Sequence, residues 1–213
     1  MKAKSRLSIL GLAFVLALCL GIVHGAAGFV ENFDNAKLDA MPAGWEDKGD
    51  VKAKCIVVDK SVVVPYSPPY SLKMADDSPG VAAQISKWFD NQAKGTIRYA
   101  ANIPSASPGD LYCTFTKSGE KIFDVDLSAG GNVKYRDQAG SLQEAAKYTQ
   151  DAWRVVEIAW DCGTGKYSLA VDGNKIGEYP MLKNTPPDTV DFKLGASNKV
   201  GQVGYLDSIE LKG

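Results

Sequence analysis

From Gly28 onward, apolar and polar residues alternate with a period of two through most of the chain. That is the pattern of strands with one buried and one wet face. It is clearest over Trp153–Gly173. Val156, Ile158 and Trp160 alternate with Val155, Glu157 and Ala159. After a break at 163–165, Tyr167, Leu169 and Val171 alternate with Ser168, Ala170 and Asp172. Two such runs joined by a Gly-bearing break predict a β-hairpin. Asp172-Gly173 then predicts a second tight turn, since Gly accepts positive φ without steric cost.

The same reading predicts strands at Gly28–Asp34, Lys52–Asp59, Ser61–Val64, Ser71–Ala75, Val81–Phe89, Gly95–Ile103 and Leu111–Thr116. It continues with Lys121–Ser128, Gly130–Arg136, Asp188–Gly195 and Gly201–Leu211. Pro and Gly mark a turn at Ala40–Trp45 and loops at Pro65–Pro69 and Pro104–Gly109. Ser141–Gln150 is the one stretch that reads as helix. Trp88, next to Phe89 after an alternating run, is assigned to the core. Roughly a dozen short strands spaced by turn signals predict an all-β, antiparallel two-sheet β-sandwich. No βαβ rhythm, internal repeat or linker interrupts it, so 28–213 is expected to be a single domain.

Composition changes the picture at the N-terminus. Lys2, Lys4 and Arg6 precede a 17-residue apolar run, Leu7 to Val23, which is followed by Gly25, Ala26, Ala27 and Gly28. A basic start, an apolar centre and small residues are the order of a secretory signal peptide, here residues 1–27. An uncleaved anchor is the rival reading, because the run is near the lower limit for a membrane span. Cys19 follows Leu18 rather than a small residue, which argues against lipidation. The expected location is therefore secreted, periplasmic or extracellular, with no membrane span once the leader is removed.

The leader also takes chemistry with it. It holds the single histidine, His24, three of the 24 basic residues and none of the 25 acidic ones. The remainder has a net charge of −4 and no basic stripe, which argues against a nucleic-acid partner. A histidine-free chain cannot build a Ser-His-Asp or Cys-His nucleophile pair and lacks the commonest zinc ligand. Cys55, Cys113 and Cys162 remain. An exported chain favours disulfides, but three cysteines allow at most one internal bridge, and Cys113 lies on the apolar side of its strand.

The hairpin also carries a family likeness. Trp153, Val156, Ile158, Trp160, Asp161, Gly165, Tyr167, Leu169, Val171, Asp172, Gly173 and Ile176 form a pattern that resembles the laminin-G-like and concanavalin A-like jelly-roll group. FVENFDNAKLDAMPAGW resembles the opening of secreted jelly rolls, and VGYLDSIEL their last strand. The resemblance implies a jelly roll and a group that includes lectins, carbohydrate-binding modules, adhesion domains and glycoside hydrolases. Function does not follow from such a fold alone. Sandwich glucanases of the group carry a Glu-x-Asp-x-x-Glu strand. The nearest match here, Asp124-x-Asp126, lacks both glutamates, so that catalytic assignment fails. Tyr112, Lys134 and Arg136 permit, but do not require, a His-free lyase.

The leading expectation is a non-enzymatic recognition module for carbohydrate or a cell-surface glycan. The alternatives are a polysaccharide-active hydrolase or lyase, and a protein-binding adhesion domain. If apolar alternates face the core, Arg98, Tyr112, Asp124, Asp126, Arg136 and Glu157 face outward, an aromatic ring among planar polar groups suited to sugar. The same residues equally suit the wet face of any antiparallel sheet. Loop aromatics Trp45, Tyr66 and Tyr70 are a second set. Glu31, Asp34 and Asp207 resemble the terminal acids that hold a structural Ca²⁺ in many jelly rolls, where hard oxygen donors suit the ion.

Overall fold

The computed structural model describes residues 28–195 and 199–213. The expected leader, with Cys19 and His24, lies outside the described residues. The described residues form fifteen strands and no helix. They are β1 (Phe29–Glu31), β2 (Glu46–Asp47), β3 (Ala53–Asp59), β4 (Tyr70–Asp76) and β5 (Ala83–Trp88). Then come β6 (Lys94–Asn102), β7 (Leu111–Lys117), β8 (Glu120–Leu127), β9 (Asn132–Arg136) and β10 (Leu142–Lys147). The last are β11 (Arg154–Asp161), β12 (Lys166–Val171), β13 (Asn174–Pro180), β14 (Thr189–Leu194) and β15 (Gln202–Lys212).

They build an antiparallel two-sheet β-sandwich. The first sheet runs β13-β12-β11-β6-β15-β4-β3, with β1 paired to β15; the second runs β10-β9-β8-β7-β14-β5-β2. Strands adjacent in sequence are thus often divided between sheets, which lets one alternating chain supply both walls of a single core.

The inward alternates are those the pattern predicts. Val156, Ile158 and Trp160 from the first sheet, and Cys113, Phe115, Phe123, Val125 and Phe192 from the second, are buried together. Aromatic rings join the two sheets. Phe123 on β8 stacks on Tyr167 of β12 at 4.7 Å and on Phe115 at 4.6 Å, and Tyr135 on β9 stacks on Tyr179 of β13 at 3.9 Å. Such pairs add to the burial of their large apolar area. The hairpin β11–β12 turns through Thr164 and Gly165, whose N–H groups both donate to the Asp161 carbonyl. At the next turn Asp172 and Gly173 both have positive φ, 52° and 77°, as a type I′ turn requires.

Several expectations are corrected. Ser141–Gln150 contains strand β10, not helix, paired antiparallel to β9 with a bulge between Glu144 and Ala146. Its composition carries too little helical periodicity to compete with ladder pairing at a sheet edge, where charged residues are at home. Ser61–Val64 is a turn: Val62 and Val63 N–H donate to the Asp59 carbonyl, and Pro65 stops any ladder. Trp88 is 60% exposed. Period two puts it outward with Gln84 and Ser86, while Ala83 and Ile85 go inward. Asn174–Pro180 is an edge strand whose weak alternation gives no signal in the sequence. Cys55, Cys113 and Cys162 are buried free thiols, with no bridge among them.

Candidate functional site

On the outward face of the second sheet, strand alternation aims Asp124 and Asp126 away from the core. Neither has any exposed side-chain surface. Arg136 Nε lies 3.0 Å from both carboxylate oxygens of Asp124, and Lys121 Nζ lies 2.6 Å from one of them. Asp126 differs. Lys134 Nζ stands 3.9 Å away, and neither carboxylate oxygen accepts a hydrogen bond. Burial, aided by the charges of Asp110 and Asp124 and opposed by Lys134, pushes its carboxyl up to about 8. A third acid, Asp191 on β14, accepts from Ser86 Oγ and, at 3.2 Å, from Gln84 Nε2.

Long side chains lie over these acids. Register aligns Lys193, Tyr112 and Asp126 across β14, β7 and β8, with Asp191, Thr114 and Asp124 in the next row. Tyr112, Thr114, Lys121, Arg136, Lys193 and Gly195 line a hollow of about 250 Å³. Carboxylates form its underlayer and cations its rim.

The outward face of the first sheet holds a different arrangement. Arg98 on β6 lies directly opposite Glu157 on β11. They line a cleft of about 450 Å³ with Tyr66, Trp153, Val155, Ala170, Asp172 and Gly173. Tyr66 and Trp153 meet edge to face, ring centres 6.2 Å apart. Trp153 Nε1 donates to the Val64 carbonyl at 2.8 Å, and the Ser67 N–H donates to Asp207 at 2.9 Å. These bonds pin the 60–69 loop, and with it Tyr66, at the cleft mouth. Asp172 is occupied by Arg154 at 3.0 Å and by the Val155 N–H at 2.9 Å. Among the described residues, the side chains of Arg98 and Glu157 make no hydrogen bond or ion pair. Farther along the same strands, Thr96, Ala159 and Ser168 floor a larger hollow of about 630 Å³.

The six expected ligand residues therefore divide. Tyr112, Asp124, Asp126 and Arg136 share the second sheet; Arg98 and Glu157 share the first. The sheets pack back to back, roughly 10 Å apart, so these are opposite sides of the molecule. Asp124 and Asp126 lie beneath their surface rather than on it. Trp153, Lys193 and Lys121 are not among the expected ligand residues. Tyr66, marked in the sequence by its place beside Pro68-Pro69, is one of the loop aromatics expected as a second set.

Each of the three expected calcium ligands accepts an internal hydrogen bond, while Asp34 Oδ1 is buried and accepts none. Glu31 accepts from Phe33 N–H at 2.9 Å and Trp45 Nε1 at 3.1 Å, and Asp34 accepts from Asn32 Nδ2 at 2.6 Å. Asp207 is buried and pushed up to about 6 by that burial. Among the described residues, no three or more His, Cys, Asp or Glu side chains gather as a metal site requires. No helix among the described residues is long and apolar enough to cross a membrane.

No protein-family model and no curated protein matches the chain. Solved structures match its fold. A sialidase aligns with a TM-score of 0.73 at 12% identity, over 89% of this chain and 19% of its own. The chain thus spans about a fifth of that protein. The apo Crh5 transglycosylase aligns at 0.59 and 13%, over 89% of this chain and 85% of its own. The type G botulinum neurotoxin receptor-binding domain aligns at 0.56 and 14%, over 89% and 48%. At such identities the likeness is one of fold.

Proposed function

We propose that the chain is an exported, non-enzymatic carbohydrate-recognition module that seats a sugar in the Tyr66–Trp153 cleft. The observation that carries this reading is the pairing of unspent planar groups with aromatic rings. Arg98 and Glu157 face each other without internal partners, below an edge-to-face Tyr66–Trp153 pair. A guanidinium and a carboxylate offer bidentate donors and acceptors to vicinal hydroxyls. Aromatic faces take the C–H face of a pyranose and lose little conformational freedom in doing so. The hollow floored by Thr96, Ala159 and Ser168 continues the cleft along the strands, which suits a chain of sugars.

Two considerations support recognition over catalysis. A glycosidase needs an acid and a second carboxylate flanking the bond. Asp126 has the raised affinity for a proton that an acid needs, but it and Asp124 are sealed from the surface. The sialidase, transglycosylase and alginate lyase that share the fold act on sugars by name; that supports a carbohydrate partner more than it supports any one reaction.

The test is affinity electrophoresis of the chain without its leader, through gels containing laminarin, xyloglucan or galactomannan, with product analysis of the same mixtures. Retardation without new reducing ends or unsaturated products supports the reading. New products overturn its non-enzymatic part, and the absence of retardation in every gel overturns its carbohydrate part.

A further inference from the structure

The hollow on the opposite sheet has a different chemistry from the cleft. Three cations, Lys121, Arg136 and Lys193, two hydroxyl side chains, Tyr112 and Thr114, and no carboxylate line it. Lys121 and Arg136 are held in place by Asp124 beneath them. Side-chain exposures of 36% and 21% show that both still face solvent. Lys193 joins no ion pair among the described residues: its cross-strand neighbours, Gln84 and Tyr112, are uncharged, and Asp76, whose carboxylate feels its charge, is fully buried. Of the acids on this face, Asp124 is ion-paired and Asp191 hydrogen-bonded from within, while Asp126 is fully buried without a hydrogen bond. An approaching ligand therefore meets positive charge first.

We infer that this hollow is a second ligand site, selective for an oxyanion carried on a sugar, the carboxylate or sulfate of an acidic polysaccharide. Lys193 supplies a cation outside any ion pair and Arg136 a planar donor fixed by Asp124. The Tyr112 and Thr114 hydroxyls take the sugar's own hydroxyl groups. At about 250 Å³ the hollow is larger than a bare anion requires and admits a single pyranose unit. A nucleic-acid partner is disfavoured by the acidic net charge and by the want of a phosphate-tracking stripe. The site is independent of the Tyr66–Trp153 cleft, which lies on the other sheet.

Isothermal titration of the chain without its leader uses two matched pairs of probes: polygalacturonate with its methyl-esterified form, and dextran sulfate with dextran. The expected result is tighter binding of at least one charged member than of its neutral partner. That excess falls about tenfold in Lys193→Met, as loss of a charge-assisted contact implies, and returns in Lys193→Arg. It also survives Trp153→Ala. Polygalacturonate alone assigns a carboxylate, and dextran sulfate alone a sulfate. Equal binding of charged and neutral members overturns the site. So does an equal loss in Lys175→Met, which removes a remote surface charge on β13 and would make the attraction diffuse. Loss of neutral-glycan binding in Trp153→Ala with the Lys193 effect intact separates this site from the cleft.

Discussion

Replacing Asp126 by Asn tests how the outward face of the second sheet is built. Asp126 has no exposed side-chain surface and no hydrogen bond on either oxygen, and its carboxyl is pushed from 3.8 up to about 8 by burial. A carboxyl whose folded value is raised binds its proton more tightly folded than unfolded. Its contribution to stability is complete below about 3.8, declines as pH rises, and is exhausted above about 8. Each tenfold difference in proton affinity between the folded and unfolded chain corresponds to about 1.4 kcal/mol. Asp126 therefore makes the native state about 3.5 kcal/mol less stable at pH 8 than at pH 5. For a chain of this size that is roughly 7–14 °C in melting temperature. Asp126→Asn has nearly the same shape and no charge to expel. Thermal melts of the two proteins from about pH 4.5 to 9 should converge at the acid end, with the variant pulling ahead steadily toward pH 8. Parallel curves would refute the reasoning. They would mean that Asp126 is ionised in the native state and that Lys134, at 3.9 Å, stabilises it fully.

Other substitutions probe the remaining parts. Phe123→Ala removes the ring that stacks on both Phe115 and Tyr167; urea unfolding should show a loss of about 3–5 kcal/mol. Arg136→Met strips Asp124 of the Nε–H shared between its two oxygens while leaving the carboxylate buried. It should cost about 3 kcal/mol by the same assay, with a smaller loss in the double variant Arg136→Met, Asp124→Leu. Addition of EGTA should leave the melting temperature unchanged, because a calcium ion bound only by the folded state would have to raise it. A fall of several degrees would support the calcium expectation for Glu31, Asp34 and Asp207.

The fold is legible because it is written locally. Alternation names strands, and Gly and Pro name the turns between them, as Asp172-Gly173 does with its two positive φ values. Where local signals are weak the strands are missed. β10 and β13 are edge strands with little apolar burial to reward, and their sequences do not alternate cleanly. The site is less legible because alternation gives a residue's face but not its sheet. Arg98 and Tyr112 lie only two strands' length apart in sequence, yet β6 joins β11 and β15 while β7 joins β8 and β14. Polar outward residues also do not reveal how deep they lie. Asp124 and Asp126 read as surface groups but have no exposed side-chain surface, and the charged ends of Lys121, Lys134 and Arg136 stand against them. Trp153 reads as the start of a hairpin. Its role at the cleft mouth depends on a bond to Val64, 89 residues away, which no local pattern encodes.

The central claim, that the Tyr66–Trp153 cleft holds a sugar, is tested most directly by titrating the wild-type chain and Trp153→Ala with whichever neutral polysaccharide retards it in a gel. Loss of one stacked ring should weaken binding about tenfold or more, with Lys193→Met binding as the wild type does. A Trp153→Ala protein that remains folded and binds that polysaccharide with wild-type affinity would contradict the account.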